Sequence, residues 1–211
     1  MRRLLLLIFS AAWYIPAAAQ YPGYQTIAQP ALFSASFNAA AQKTRTIQCD
    51  FIQEKTLSML SEKIISKGKF WFKKDNLVRM QYFQPFEYLM ILANNTVYIK
   101  DGQRENKLSG KSNKLFGQIN QVIIDCVRGT ALSNPDFSVR LFENGSGYLL
   151  ELSPTGKHLK ELFKHINVSI DKKDYSASRL EMLEQSGDDT VITFINKVLN
   201  AEIADSLFVI H

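Results

Sequence analysis

The chain has little of what most enzymes use. Its 211 residues include only three histidines, His158, His165 and His211, and none stands at a metal-ligand spacing. The two cysteines, Cys49 and Cys126, lie too far apart for a C-x-x-C site. There is no G-x-S-x-G elbow and no phosphate-binding loop. Asp188 and Asp189 adjoin in a turn, where a solvated pair is the default and a calcium site the lesser reading. Lys172-Lys173 likewise reads as a solvated turn. These absences leave catalysis unsupported, and the expectation is a non-enzyme with no cofactor and no metal. Excess charge is also small. Removing Arg2 and Arg3 from the 25 Lys+Arg leaves a slight surplus over 20 Asp+Glu, which argues against nucleic acid as the main partner. Beyond the N-terminal segment no run of eighteen apolar residues occurs, so no spanning helix is expected. Internal repeats, low-complexity tracts and linkers are absent as well.

What is present begins with a targeting signal. Arg2 and Arg3 form a basic start, Leu4 to Phe9 open an apolar stretch, and Ala17-Ala18-Ala19 supply small residues for cleavage before Gln20. Residues 1–19 are therefore expected to be a signal peptide and 20–211 a single domain outside the cytoplasm. No cysteine follows the small residues, so a lipid-anchored N-terminus is not expected. That compartment permits a Cys49–Cys126 disulfide; two buried free thiols are the other reading.

Aromatic and methionine side chains crowd the stretch from Gly68 to Asp101, which reads as consecutive antiparallel strands. Before it, Pro30 to Thr44 has helical spacing, with Leu32, Phe33, Phe37, Ala40 and Ala41 on one face. Strands are expected over Thr46–Leu57, Glu62–Lys74, Leu77–Phe83, Glu87–Leu92, Thr96–Lys100 and Arg104–Leu108. Asn94-Asn95 suits a hairpin turn. Gly68, inside the second strand, marks a bend, a bulge or a close approach. Lys114 to Thr130 then carries apolar residues at helical spacing, an isolated helical insert. Strands resume over Phe137–Glu143, Tyr148–Ser153, Phe163–Ile170, Ser178–Gln185 and Thr190–Val198. Alternation lapses between Asn196 and Asn200, and Leu207–Ile210 closes the chain. Turn spacing favours an antiparallel barrel or strongly curved sheet. An apolar concavity open to water would aggregate, so the helical segments are read as its cover. The combination suits a carrier of an acyl or other apolar ligand; a filled core is the plainer reading.

The order of several short motifs resembles the LolA family of outer-membrane lipoprotein carriers. They are Phe51-Ile52-Gln53, Gly68-Lys69-Phe70-Trp71-Phe72-Lys73, Gln84-Pro85, Val97-Tyr98, Gly187-Asp188-Asp189-Thr190-Val191-Ile192-Thr193-Phe194 with Asn196 and Asn200, and Phe208-Val209-Ile210. The likeness spans nearly the whole chain after the targeting segment. It implies a mostly β (α+β) fold, an incomplete, strongly curved antiparallel β-barrel with a helical lid. It implies a monomeric periplasmic carrier, not an enzyme, that takes acylated lipoproteins from an inner-membrane transporter to an outer-membrane receptor. A related module for another lipid or lipid-linked molecule is the alternative.

By the same resemblance, Val78, Met80 and Tyr82 face the ligand on the third strand, and Phe51, Phe70 and Phe72 extend the lining. Leu115, Ile119, Val122 and Ile123 line the cover. Family members carry Arg-Pro at the turn after the second strand, and that Arg latches the lid. Here the pair is Lys74-Asp75, so Lys74 is the latch candidate, without the planar fork of Arg. Arg79 is expected to point outward and not to substitute. Cys49 shares the face of Phe51, so a bridge to Cys126 would tether the lid.

Overall fold

The computed structural model describes residues 21–60, 62–74, 76–93, 96–102, 104–109 and 122–209. The predicted signal peptide, the Asn94-Asn95 turn and insert residues 110–121 lie outside them.

Period-two alternation gives strands that pair with their sequence neighbours. Ahead of the main sheet come β1 (Gln25–Thr26) and helix α1 (Pro30–Lys43), which starts on its proline. A meander follows: β2 (Thr46–Leu57), β3 (Glu62–Lys73), β4 (Leu77–Gln84), β5 (Tyr88–Ala93), β6 (Thr96–Asp101) and β7 (Arg104–Ser109). Helix α2 covers residues 122–128. A second meander has β8 (Phe137–Glu143), β9 (Gly147–Pro154), β10 (Phe163–Asp171), β11 (Ala177–Glu184) and β12 (Asp189–Leu199), with helix α3 (Lys157–Leu162) before β10. Antiparallel pairing of β12 with β2 joins the meanders into one 12-stranded sheet. The order is β1-β8-β9-β10-β11-β12-β2-β3-β4-β5-β6-β7, so β1 and β7 are edges and the barrel is incomplete.

The two faces of the sheet have different fates. On the concave face, Ile47, Cys49 and Phe51 of β2, Phe70 and Phe72 of β3, and Val78 and Met80 of β4 join one buried cluster. That cluster also takes Phe33 and Phe37 of α1 and Val122, Ile123, Ile124 and Cys126 of α2. The predicted apolar face of α1 is narrower than expected, because Leu32 is 60% exposed. On the convex face, Trp71, Ile91, Ala93 and Tyr98 form a second cluster under Ile203, Leu207 and Phe208. The C-terminal segment reaches it through a 3₁₀ turn, Asp205–Phe208. Arg79 is on this outer side: its guanidinium lies 5.8 Å over the Trp71 ring and donates to the Leu207 carbonyl at 2.9 Å.

Gly68 sits at a bulge. The β3–β4 register shifts between Lys67 and Gly68, and Phe83 is the extra residue of the bulge. A Cβ on Gly68 would lie 2.3 Å from the Gln81 carbonyl oxygen and 2.5 Å from Phe51 Cζ. Backbone cannot retreat as a flexible side chain can. Gly68→Ala is therefore expected to cost about 3 kcal/mol, at the upper end for an overpacked core, read from urea unfolding. A stability within about 0.5 kcal/mol of wild type would show that β3 and β4 are not so closely apposed.

Candidate functional site

Where α2 meets the concave sheet, the packing leaves a small cavity of ≈ 30 Å³. It is walled by Ile47 and Cys49 of β2, Phe70 of β3, Val168 of β10, Leu180 of β11 and Phe194 of β12. Ile123, Cys126 and Val127 roof it from α2. Ser176, Ala177 and Lys197 complete the lining, and Lys197 is its one charged group. The Phe70 and Phe194 rings meet at 5.6 Å with a 58° tilt, a favourable offset contact. Such a volume is on the scale of one water molecule. It is roughly tenfold below the pockets that hold drug-sized ligands.

The residues singled out in the sequence are distributed around this point. Phe70 and Ile123 line the cavity. Phe51, Phe72, Val78, Met80 and Val122 are buried in the same concave cluster, and Tyr82 packs against it. Tyr82 makes edge contacts with Phe51 at 4.8 Å and Tyr88 at 5.5 Å, and its hydroxyl donates to Gln53 Oε1 at 2.9 Å. Burial, and secondarily Tyr88, pushes its phenol upward. Leu115 and Ile119 lie outside the described residues.

Of the two readings of the cysteines, the structure holds the pair of buried thiols. Cys49 and Cys126 are both free and buried, although they face the same cavity from sheet and helix. Burial pushes the Cys49 thiol up to about 12; the nearby Lys197 cation pulls the other way and Asp50 adds to the rise. Burial and then Asp125 push Cys126 up to about 12. Lys74 places its ammonium 3.5 Å from the Gln42 carbonyl, in the last turn of α1, at an exposed position. Its own amide donates to the Arg45 carbonyl at 2.8 Å. Among the described residues, Lys74 thus reaches α1 and has no recorded bond to α2. Asp188 accepts from the Ser58 amide and hydroxyl, both at 3.0 Å, and these bonds hold its carboxyl below the usual range. It fastens two turns together.

Ile47, Val168, Ser176, Ala177, Leu180, Phe194, Val127 and Lys197 were not singled out as lining. The lapse of alternation after Ile195 was the available signal for Lys197.

A thiol kept protonated by burial stabilises the fold below its unfolded value near 9 and loses that contribution as pH climbs toward 12. Stability is expected to fall as pH rises above about 9, by about 1 kcal/mol per thiol at about pH 10. Replacing both cysteines with alanine should remove that share of the slope. An unaltered slope in the double variant would contradict the burial of the thiols.

The family model described as outer membrane lipoprotein carrier protein LolA matches residues 42–211. Among solved structures, the chain is similar to an uncharacterized conserved protein from Thermus thermophilus at 10% identity and a TM-score of 0.53, covering 84% of this chain and 91% of that one. It is also similar to a LolA superfamily protein from Nitrosomonas europaea, at 12% identity and TM-score 0.44, covering 83% and 97% of the two chains. The lipoprotein LppX of Mycobacterium tuberculosis aligns at 9% identity and TM-score 0.45, covering 82% and 96%. No curated protein matched the chain by sequence.

Proposed function

The chain belongs to the family of the outer membrane lipoprotein carrier protein LolA, and from that we propose that it is a periplasmic carrier, not an enzyme, that holds the acyl chains of lipoproteins against its concave sheet. The observation that carries this reading is the apolar seam between sheet and α2, where side chains from both sides meet around a cavity. In the proposed cycle residues 1–19 direct export and are removed. The monomeric carrier then receives an acylated lipoprotein from an inner-membrane transporter and delivers it to an outer-membrane receptor. Among the described residues no helix is long and apolar enough to cross a membrane.

Loading has a simple energetic form. Each acyl methylene moved from water to an apolar surface contributes about 0.8 kcal/mol. The cavity of ≈ 30 Å³ admits no chain of useful length, so α2 must leave the sheet and the acyl chains take its place. The free energy of loading is then a difference: chain against sheet, less α2 against sheet. Such an exchange releases cargo readily, as a carrier requires. The alternative, a module for another lipid or lipid-linked molecule, is favoured by Lys74, whose one recorded side-chain bond is long, exposed and made to α1. Native mass spectrometry of the lipid that copurifies separates the two.

Wild-type protein is expected to accept a lipoprotein from inner-membrane vesicles carrying the transporter and to hand it on. Failure to accept it, with copurified lipid of another class, would overturn the transport role. Phe70→Glu places a carboxylate against the chains at a cost of several kcal/mol. It is expected to lower affinity for a tripalmitoylated lipopeptide by about tenfold or more while circular dichroism reports an intact sheet. Unchanged affinity would remove Phe70 from the site.

A further inference from the structure

The β12–β2 ladder contains a one-residue fault that turns a lysine inward. Ile195 pairs with Asp50 and Val198 with Gln48, so three steps along β12 match two along β2. Asn196 takes up the extra residue with φ at 55°, in the left-handed region that Asn tolerates better than most residues. Its side-chain amide donates to Asp50 Oδ2 at 2.8 Å, which fixes the bulge from the convex side. Before the bulge, Ile192 and Phe194 face the concave core. With unbroken alternation, residue 197 would face outward beside Ile195. The bulge reverses this, as bulges commonly re-aim a side chain. Leu199 then packs on the concave cluster and Lys197 lines the cavity beside Cys49.

Its surroundings are not those of a structural ion pair. Lys197 Nζ donates to the Ser176 hydroxyl at 2.5 Å and to the Ala177 carbonyl at 3.4 Å, both neutral acceptors at the start of β11. Other lysines of the sheet are matched to carboxylates: Lys55 to Glu184, Lys69 to Asp50 and Lys73 to Asp205. Among the described residues no carboxylate is recorded on Lys197. The result is a half-buried ammonium at the edge of an otherwise apolar lining, its stem lying along the wall and its head on the Ser176 hydroxyl, which in turn donates to Asp174 Oδ1 at 2.6 Å.

We propose that Lys197 is the polar anchor of the cavity: it binds the carboxyl oxygens at the head of an acyl chain whose tail lies along Phe70, Leu180 and Phe194. A hydrogen bond between an ammonium and a carboxylate is stronger than one to a hydroxyl, so the ligand displaces Ser176. An esterified or amide-linked acyl group offers the same carbonyl oxygen with less charge. The shared chemistry is therefore a carboxyl-derived oxygen, carboxylate or carbonyl, at the end of a long chain, supplied by a free fatty acid or by the acylated head of a lipoprotein. The inference rests on the reading of the cavity as an acyl site.

The test uses three probes with the same hydrocarbon tail: palmitate, hexadecanol and a tripalmitoylated lipopeptide. Each is titrated against wild type, Lys197→Met, which keeps the stem, and Lys197→Arg. Wild type is expected to bind palmitate about tenfold more tightly than hexadecanol. Lys197→Met should abolish that preference and leave hexadecanol within about twofold of wild type, which also shows that the variant is folded. Lys197→Arg should retain most of the preference. A parallel loss for the lipopeptide assigns the anchor to esterified and amide carbonyls; loss confined to palmitate assigns it to the free carboxylate. Equal binding of palmitate and hexadecanol by wild type overturns the anchor alone. So does palmitate binding unchanged in Lys197→Met. If none of the three probes binds wild type, the acyl-site reading fails and the anchor with it.

Discussion

The structure depends on one constraint: a curved sheet with an apolar concave face has to be covered. Residues from β2, β3, β4 and β9 to β12 all present apolar side chains to the same side. Leaving that surface in water would forfeit roughly 25 cal/mol for each Å² exposed and invite aggregation. Two helices supply the cover. Phe33 and Phe37 seat α1 among the core residues. The α2 contribution, Val122 to Cys126, is similarly buried, yet this is where the packing leaves a cavity. A close-packed interior normally carries few voids. The void between sheet and α2 marks one seam between cover and wall.

The convex side meets the same demand differently. Trp71, Ile91 and Tyr98 are sealed by the C-terminal segment, with Arg79 bonding the Leu207 carbonyl over the indole. Elsewhere on that side the cover is polar. Glu151 accepts from Arg140 at 2.5 Å and from the Tyr21 hydroxyl at 2.5 Å. These partners offset burial and hold its carboxyl below the usual range. Such charge-assisted bonds keep β8, β9 and the N-terminal segment in register. The convex face thus adds specific polar bonds to its own apolar cluster, and the concave face is covered by apolar contact. Only apolar contact can be replaced by an acyl chain without leaving buried polar groups unpaired.

Much of this was legible in the sequence, for physical reasons. Alternation over Thr46–Leu57 and around Phe70 and Met80 defines two faces, and Gly68 marks a bend, a bulge or a close approach. Motif order pointed to the family and so to an incomplete barrel with a helical cover. Other features depend on distant pairing. Alternation separates Trp71 and Tyr98 from Phe70 and Met80, but it does not say that Phe208 will lie over the first pair. β1 is two residues long and exists only through β8. α3 is six residues, mostly charged or polar, and too short to display a period. The inward turn of Lys197 follows only from the count of residues against β2, although broken alternation at Asn196 hinted at it. Cysteine spacing could not decide between a bridge and two thiols, because that depends on how α2 sits on the sheet.

The central claim is that α2 and an acyl chain compete for one surface. Spin labels at Arg128→Cys on α2 and Lys164→Cys on β10, both exposed positions, report their separation in a Cys49→Ala, Cys126→Ala background. Adding a tripalmitoylated lipopeptide is expected to move the distance distribution to longer values in proportion to the fraction loaded. A distribution that stays unchanged while the lipopeptide is bound would contradict the account.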